Sequence, residues 1–254
     1  GILAYTPEEV DEFAQKSGKP LMLKAQALIS DRGKFGGIKR ADTPTEAHFH
    51  AAQILGHHIH EYNVDKLLVD EVISIQQEMF LAVTNDRATG KTVMVASEHG
   101  GTDIETIASQ YPDAIIREQI EPLIGLQKYQ LTKIASNINL PYRLWKSFFK
   151  AAEGLYKCYV DNDAMLTEIN PLVWTEDDHL LALDGKLIID DNALFRHPEL
   201  AVMRDSSTEH AAETHAREAG LSYVKLQGEI GCVVNGAGLA MTMLDLIHLY
   251  GEGV

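Results

Sequence analysis

Positive charge is what this sequence has least of: 22 Lys and Arg stand against 37 Asp and Glu, a formal charge of −15. Nucleic-acid and anionic-membrane surfaces are bound through Lys and Arg that neutralise phosphates, so neither is expected as a partner. Any anionic ligand must meet positive charge that is local rather than general. Cysteine is almost missing too, and Cys158 and Cys232 make neither a CxxC spacing nor a dense disulfide framework, which fits a reducing compartment. Also lacking are a secretory h-region and any charge-free apolar run of about 18 residues. These absences point to the cytoplasm, or to the mitochondrial matrix of a eukaryote. What remains is a chain of 254 residues, 45% of them hydrophobic, which suffices for one large domain or two ordinary ones.

Residues 167–186, TEINPLVWTEDDHLLALDGK, organise the rest. Two apolar runs flank the turn-like segment 175–179, so a hairpin centred on Asp177 is expected. That register sets Trp174 against Leu180, Leu172 against Ala182, Asn170 against Asp184 and Glu168 against Lys186. Side chains two apart share a face, which aligns Glu168, Asn170, Asp184 and Lys186. An amide and a carboxylate brought opposite each other make a hard-oxygen site suited to Mg²⁺, with Glu168 and Lys186 neutralising each other. The same residues also suit a sheet edge carrying an ion pair. Asn170-Pro171 favours the site, because proline in a strand is confined to edges and bulges, and a local rule broken beside a carboxylate marks function.

Earlier in the chain, Thr6-Pro7-Glu8-Glu9 is a capping box that opens a helix ending at Gly18. Gly1 stands where an initiating Met is usual, and a chain trimmed at its front is expected. Leu21-Met22-Leu23 continues as a strand carrying Lys24, either an edge lysine reaching for water or a ligand contact. The loop Asp31-Arg32-Gly33-Lys34-Phe35-Gly36-Gly37 combines free backbone amides with charge and suits phosphates, without being a Walker A sequence. A second helix runs from about Pro44 to Leu55 and ends among His48, His50, His57, His58 and His60, read as a solvated helix end rather than a zinc site. A strand over 66–73 and a hairpin over 77–97 follow; Glu78 in that hairpin is either paired in the sheet or offered to a ligand hydroxyl. Residues 97–101 form a glycine loop before a short helix over 103–111. Helices fill 126–160, split at Pro141, and a linker helix is expected over 205–220. Tyr223 to Leu226 and Ile230 to Val234 then read as strands, with the turn 235–238 and a helix over 239–250. That order opens a βαβ unit, and since one β-α unit builds no parallel sheet, a second domain is expected to have been cut off.

These motifs resemble those of the nucleotide-binding β subunits of succinyl-CoA synthetases, the ADP- or GDP-forming succinate-CoA ligases, over essentially the whole length. The resemblance rests on Thr167-Glu168-Ile169-Asn170-Pro171-Leu172, Asp184-Gly185-Lys186-Leu187, Asp191-Asn192-Ala193-Leu194-Phe195-Arg196, and the run from Gly231 to Met241, GCVVNGAGLAM. It implies an α+β chain: an ATP-grasp fold of two α+β lobes clamping a nucleotide, followed by the start of an α/β CoA-ligase domain. The grasp would occupy 1–210, with a small lobe of about 1–75 and a large lobe of about 76–210; residues 211–254 would be a linker and a first β-α unit. By position, Lys24 meets the phosphates of ATP or GTP, Asp31, Arg32 and Gly33 form the phosphate loop, Glu78 meets the ribose, and a hinge runs from Asp70 to Ile73. Asn170 and Asp184 match Mg²⁺ ligands, and Asn235 matches a position facing the phosphate or substrate site shared with an α subunit. That CoA-binding α subunit is the implied partner and carries the phosphorylated histidine; none of the 11 histidines here is assigned that role. Two departures stand out: Ser30-Asp31 replaces a glycine pair, adding a carboxylate near the phosphates, and Asp70 replaces a hinge glutamate. A malate-CoA ligase, an ATP-citrate lyase component and a non-catalytic nucleotide-sensing or scaffold subunit share the expectation of a grasp.

Overall fold

The computed structural model describes residues 1–27, 32–59, 62–204, 211–226, 228 and 230–251. The chain divides into two compact units, Gly1–Met203 and Arg204–Val254.

The described residues of the first unit form two larger sheets that share no strand, and one short two-stranded pair. In order come β1 (Ile2–Ala4), α1 (Pro7–Ser17), β2 (Leu21–Ala25), β3 (Ile38–Ala41), α2 (Pro44–Ile54), the short pair β4 (His58–Ile59) and β5 (Tyr62–Asn63), and β6 (Leu67–Glu71). Both helices start where the sequence places a cap and a proline: Thr6 Oγ1 accepts from Glu9 N at 3.3 Å, and Thr43 Oγ1 from Glu46 N at 3.2 Å. Gly18, at φ 64°, ends α1 in the left-handed region. Four strands make a sheet in the order β1-β6-β2-β3. Alternation buries Leu21, Leu23 and Ala25 with Val10, Ala14, Ala47 and Ala51 of the helices. Met22 and Lys24 therefore lie on the opposite, helix-free face. Because β2 is flanked by β6 and β3, the edge-lysine reading of Lys24 falls.

Residues 72–74 cross to the second sheet, through β7 (Ile75–Asp86), β8 (Lys91–Ser97), α3 (Ile104–Gln110), β9 (Ile115–Ile120), α4 (Lys128–Asn137), α5 (Trp145–Asp161), β10 (Ala164–Thr175), β11 (Leu180–Ala182) and β12 (Gly185–Ile189), with α6 (Pro198–Ala201) after a 3₁₀ turn. The strand order is β11-β10-β7-β8-β9, with β12 also paired to β10. One face packs on α4 and α5 around Phe148, Leu131, Ile134 and Leu81. The other packs on α3 through Phe80, Ala82, Val93 and Ile107. The strand β9 is an element the sequence reading did not assign.

In the second unit, α7 (Ala211–Glu218) and α8 (Ala237–Tyr250) are helical. The expected strands at Tyr223 to Leu226 and Ile230 to Val234 are corrected: the described residues of 221–236 form none. A strand is defined by a ladder, and no described strand of the chain pairs with these apolar runs. The first β-α unit expected there is thus a helix preceded by non-ladder backbone.

Candidate functional site

The central hairpin forms in the expected register. Trp174 pairs with Leu180, Leu172 with Ala182 and Glu168 with Lys186. Asn170 N donates to Asp184 O at 3.1 Å, and Leu183 N to Pro171 O at 3.1 Å. On the other side of β10, the register with β7 shifts between Ile169, opposite Leu81, and Leu172, opposite Met79. Asn170 and Pro171 thus face one residue, Phe80, which is a bulge, one of the two settings, edge or bulge, to which a strand proline is confined. Its consequence is a change of face. Leu166, two before Glu168, packs on the α3 side, whereas Leu172 and Trp174 lie in the α4–α5 core. Glu168 is left on the α3 side of the sheet, as is Glu78, two residues before Phe80.

Two small-lobe cations reach this region. Lys24 Nζ lies 3.3 Å from Leu183 O and 3.5 Å from Asp70 Oδ2. Arg32 spans the lobes, donating to Ala25 O at 2.9 Å and to Asp184 Oδ2 at 2.6 Å. A third pair joins Lys34 Nζ to Asp103 Oδ2 at 3.5 Å. Hydrogen bonds from Thr106, and after them the Lys34 charge, hold the Asp103 carboxyl below the usual range. Burial pushes Glu168 up; Asn170 and Lys186 oppose that rise, while Glu105 and Asp184 add to it. Five groups, Glu168, Asn170, Lys186, Glu105 and Asp184, therefore share one electrostatic neighbourhood.

Asn170 is held by the glycine loop between β8 and α3. Its Oδ1 accepts from Gly101 N at 2.8 Å, and its Nδ2 donates to Thr102 O at 2.8 Å. Glu78 is exposed, and its carboxylate lies against the α-carbon of Gly101, where an added Cβ would sit 2.0 Å from Oε2. Gly33 stands in the described part of the small-lobe loop; Asp31 lies outside the described residues. Asp70 is the penultimate residue of β6 and Ile73 lies in the crossing between the lobes. Asn235 is exposed and belongs to the second unit, two residues before α8. The sequence reading noted the glycine loop without giving it a site role; its tandem Gly100-Gly101 was the available signal. Nor did it single out Asp103 or Glu105.

Among the described residues no group of three or more His, Cys, Asp or Glu converges as a metal site. Magnesium is commonly held by one or two protein groups, with phosphates and waters supplying the rest. The donors here suit that habit: an amide oxygen that takes one hydrogen bond from Gly101 N, and the carboxylate of Asp184, whose backbone oxygen accepts from Asn170 N across the hairpin.

A two-lobed clamp with this charge arrangement defines a nucleotide-binding class, and the family model described as ATP-grasp domain matches residues 1–174. The chain belongs to the ATP-grasp domain family. It is 47% identical over 99% of its length to the protein of Roseiflexus sp. (strain RS-1) named succinate–CoA ligase [ADP-forming] subunit beta, covering 66% of that protein. Identity is also 47% to the protein of the same name from Herpetosiphon aurantiacus, with 99% of this chain and 67% of that one covered. The chain thus spans about two thirds of the length of these curated relatives. Among solved structures, ATP citrate lyase from Methanothrix soehngenii, in complex with citrate and coenzyme A, shares the fold at a TM-score of 0.63. That match has 17% identity and covers 98% of this chain and 62% of that one. No helix among the described residues is long and apolar enough to cross a membrane.

Proposed function

We propose that this chain is the nucleotide-binding part of a succinate-CoA ligase β subunit, clamping Mg²⁺-ATP or Mg²⁺-GTP between its lobes for phosphoryl transfer to a histidine of a CoA-binding α subunit. In this reading the clamp occupies 1–210 and residues 211–254 begin a CoA-ligase domain. The observation that carries it is the meeting of Lys24 and Arg32, from the small lobe, with Leu183-Asp184 of the large lobe, opposite Asn170. The relatives named as ADP-forming succinate–CoA ligase β subunits supply the acid and the partner.

Lys24 and Arg32 would meet the phosphates, Glu78 the ribose, and the stretch from Asp70 to Ile73 the base. Asn170 and Asp184 would hold Mg²⁺, which when bound neutralises charge on the terminal phosphate oxygens. The chain's own work is positioning. The lobes fix the phosphates in line and exclude water, and Lys24 stabilises charge that develops on the transferred group. Arg32 has a second task, because it now occupies Asp184 Oδ2. Incoming phosphates compete for the guanidinium and release the carboxylate for metal, so anion and cation binding favour each other. Thioester formation would take place with the partner.

Calorimetry with Mg²⁺-ADP and Mg²⁺-GDP tests the reading directly. Binding of either, lost on omission of Mg²⁺, is the expected result; no binding of either leaves the chain a scaffold. Phosphorylation of an added α subunit, then a survey of acids, distinguishes succinate from malate or citrate.

A further inference from the structure

Asn170 is oriented more tightly than a bulge alone requires. A backbone N–H only donates and a backbone carbonyl only accepts, so Gly101 N and Thr102 O, each at 2.8 Å, fix which end of the amide points where. The oxygen is turned to Gly101, and an amide oxygen has a second lone pair besides the one this bond uses. Gly101 achieves this at φ 75°, the left-handed region that side chains rarely adopt. On its other side it abuts Glu78, since an added Cβ would lie 2.0 Å from Oε2 and 3.0 Å from Cδ. The loop has no room to sink, because a Cβ on Gly100 would meet Met79 O at 2.4 Å, backbone against backbone.

We propose that Gly101 is a positioning residue for both halves of the nucleotide site: its N–H aims the Asn170 oxygen at the metal, and its bare α-carbon seats the Glu78 carboxylate for the ribose. The inference rests on the nucleotide site assigned above and adds a residue that touches neither metal nor nucleotide. A methyl group at Gly101 has two ways out. Either Glu78 swings aside, or the loop lifts and Asn170 loses its donor and its acceptor together. Metal and nucleotide contacts, made by residues far apart in sequence, thereby become coupled through one backbone position.

The test is Gly101→Ala, read by calorimetry with ADP at graded Mg²⁺ and by electron paramagnetic resonance of Mn²⁺ with ADP. We expect the Mg²⁺ concentration for half-maximal binding to rise about 10-fold, in the range seen when partners of metal ligands are removed. Gly90→Ala is the control for strain alone: its φ is 66° and nothing lies within 4 Å of an added Cβ. It should leave the Mg²⁺ dependence unchanged. In a Glu78→Ala background, where the clash is gone, Gly101→Ala should add less than about half its effect in the wild type, a coupling that independent sites do not show. This double variant keeps the test alive should Gly101→Ala alone unfold. Mg²⁺ dependence within twofold of wild type in Gly101→Ala, or strict additivity with Glu78→Ala, overturns the inference. A wild-type chain that binds no Mg²⁺-ADP instead overturns the nucleotide site itself, so the two failures are separable.

Discussion

The two lobes face each other with opposite chemistry. The small lobe, whose sheet is covered by helices on one side only, sends Lys24, Arg32 and Lys34 across the cleft. The large lobe answers with Asp103, Glu105, Glu168 and Asp184, and with the Asn170 amide. In the proposed reading a chain of formal charge −15 receives a triphosphate through Lys24, Arg32 and Lys34 gathered from the small lobe, while the large lobe's own Lys186 serves Glu168. On the same reading the acidic lobe has a reason to be acidic: it would bind the phosphates through a divalent cation. Neither lobe alone brings Lys24 and Arg32 together with Asn170 and Asp184, so the proposed recognition of Mg²⁺-nucleotide would need both.

The deepest cut into this contrast is Asp184→Asn, which strips the acidic lobe of the charge that the register sets opposite Asn170. Mg²⁺-dependent nucleotide affinity should fall at least about 10- to 100-fold. The side chain is 45% exposed at a strand junction, so thermal unfolding should stay near wild type. Calorimetry with and without Mg²⁺ checks this, and unchanged Mg²⁺ dependence would remove the metal assignment. Next comes Lys24→Met on the basic side. Losing a charge-assisted hydrogen bond of roughly 1.5–3 kcal/mol should weaken nucleotide binding about 10- to 100-fold, with or without Mg²⁺. If Lys24→Met mimicked Asp184→Asn in losing only the metal-dependent part, the division of labour between lobes would be wrong.

Much of that division was legible before any coordinates. Asn170-Pro171 pointed to an edge or a bulge, and the hairpin register followed from the length of its turn, because both are local chemistry. Lys24 was placed in the right strand, but its face was settled only by β6 and β3 closing on either side of β2. The reach of Arg32 to Asp184 spans 152 residues, and no local pattern carries such a contact. β9 went unread because Ile115–Ile120 mixes Arg117 and Glu118 into an apolar run. Its support is long-range, from β8 and from Lys133 of α4, which pairs with Glu118. The error at 221–236 had the opposite origin. The apolar runs were real, but strand propensity measures fit to a neighbouring strand, and none is paired there among the described residues.

Arg32→Ala gives a smaller effect with opposite signs for two ligands. Nucleotide affinity should drop, since a phosphate cation is gone. Mn²⁺ binding without nucleotide should rise, by up to about fivefold, because a partly exposed ion pair of roughly 0.2–1 kcal/mol no longer holds Asp184. Electron paramagnetic resonance titration of Mn²⁺ measures this. A fall in Mn²⁺ affinity would mean that Arg32 orients Asp184 rather than competing for it.

The smallest effect concerns Glu168 and is visible only against pH. Burial raises its folded-state pKa above the ordinary 4.5, so the folded chain holds this proton more tightly than the unfolded one. A raised carboxyl pKa favours folding most below the unfolded value, and that advantage is lost as pH climbs through the folded one. At neutral pH the carboxylate is therefore a burden that Asn170 and Lys186 only partly relieve. Glu168→Gln removes the titration, and its stability relative to wild type should improve from pH 4.5 upward, levelling off once wild-type Glu168 is fully ionised. The gain is a fraction of a kcal/mol, since the group is only half-buried and solvent screens its charges. Urea unfolding at acid and neutral pH measures the difference. A relative loss on going to neutral pH would show that the ionised Glu168 is held by Lys186 and Asn170 more strongly than burial opposes it, making the acidic lobe self-neutralised at this point instead of poised for an added cation.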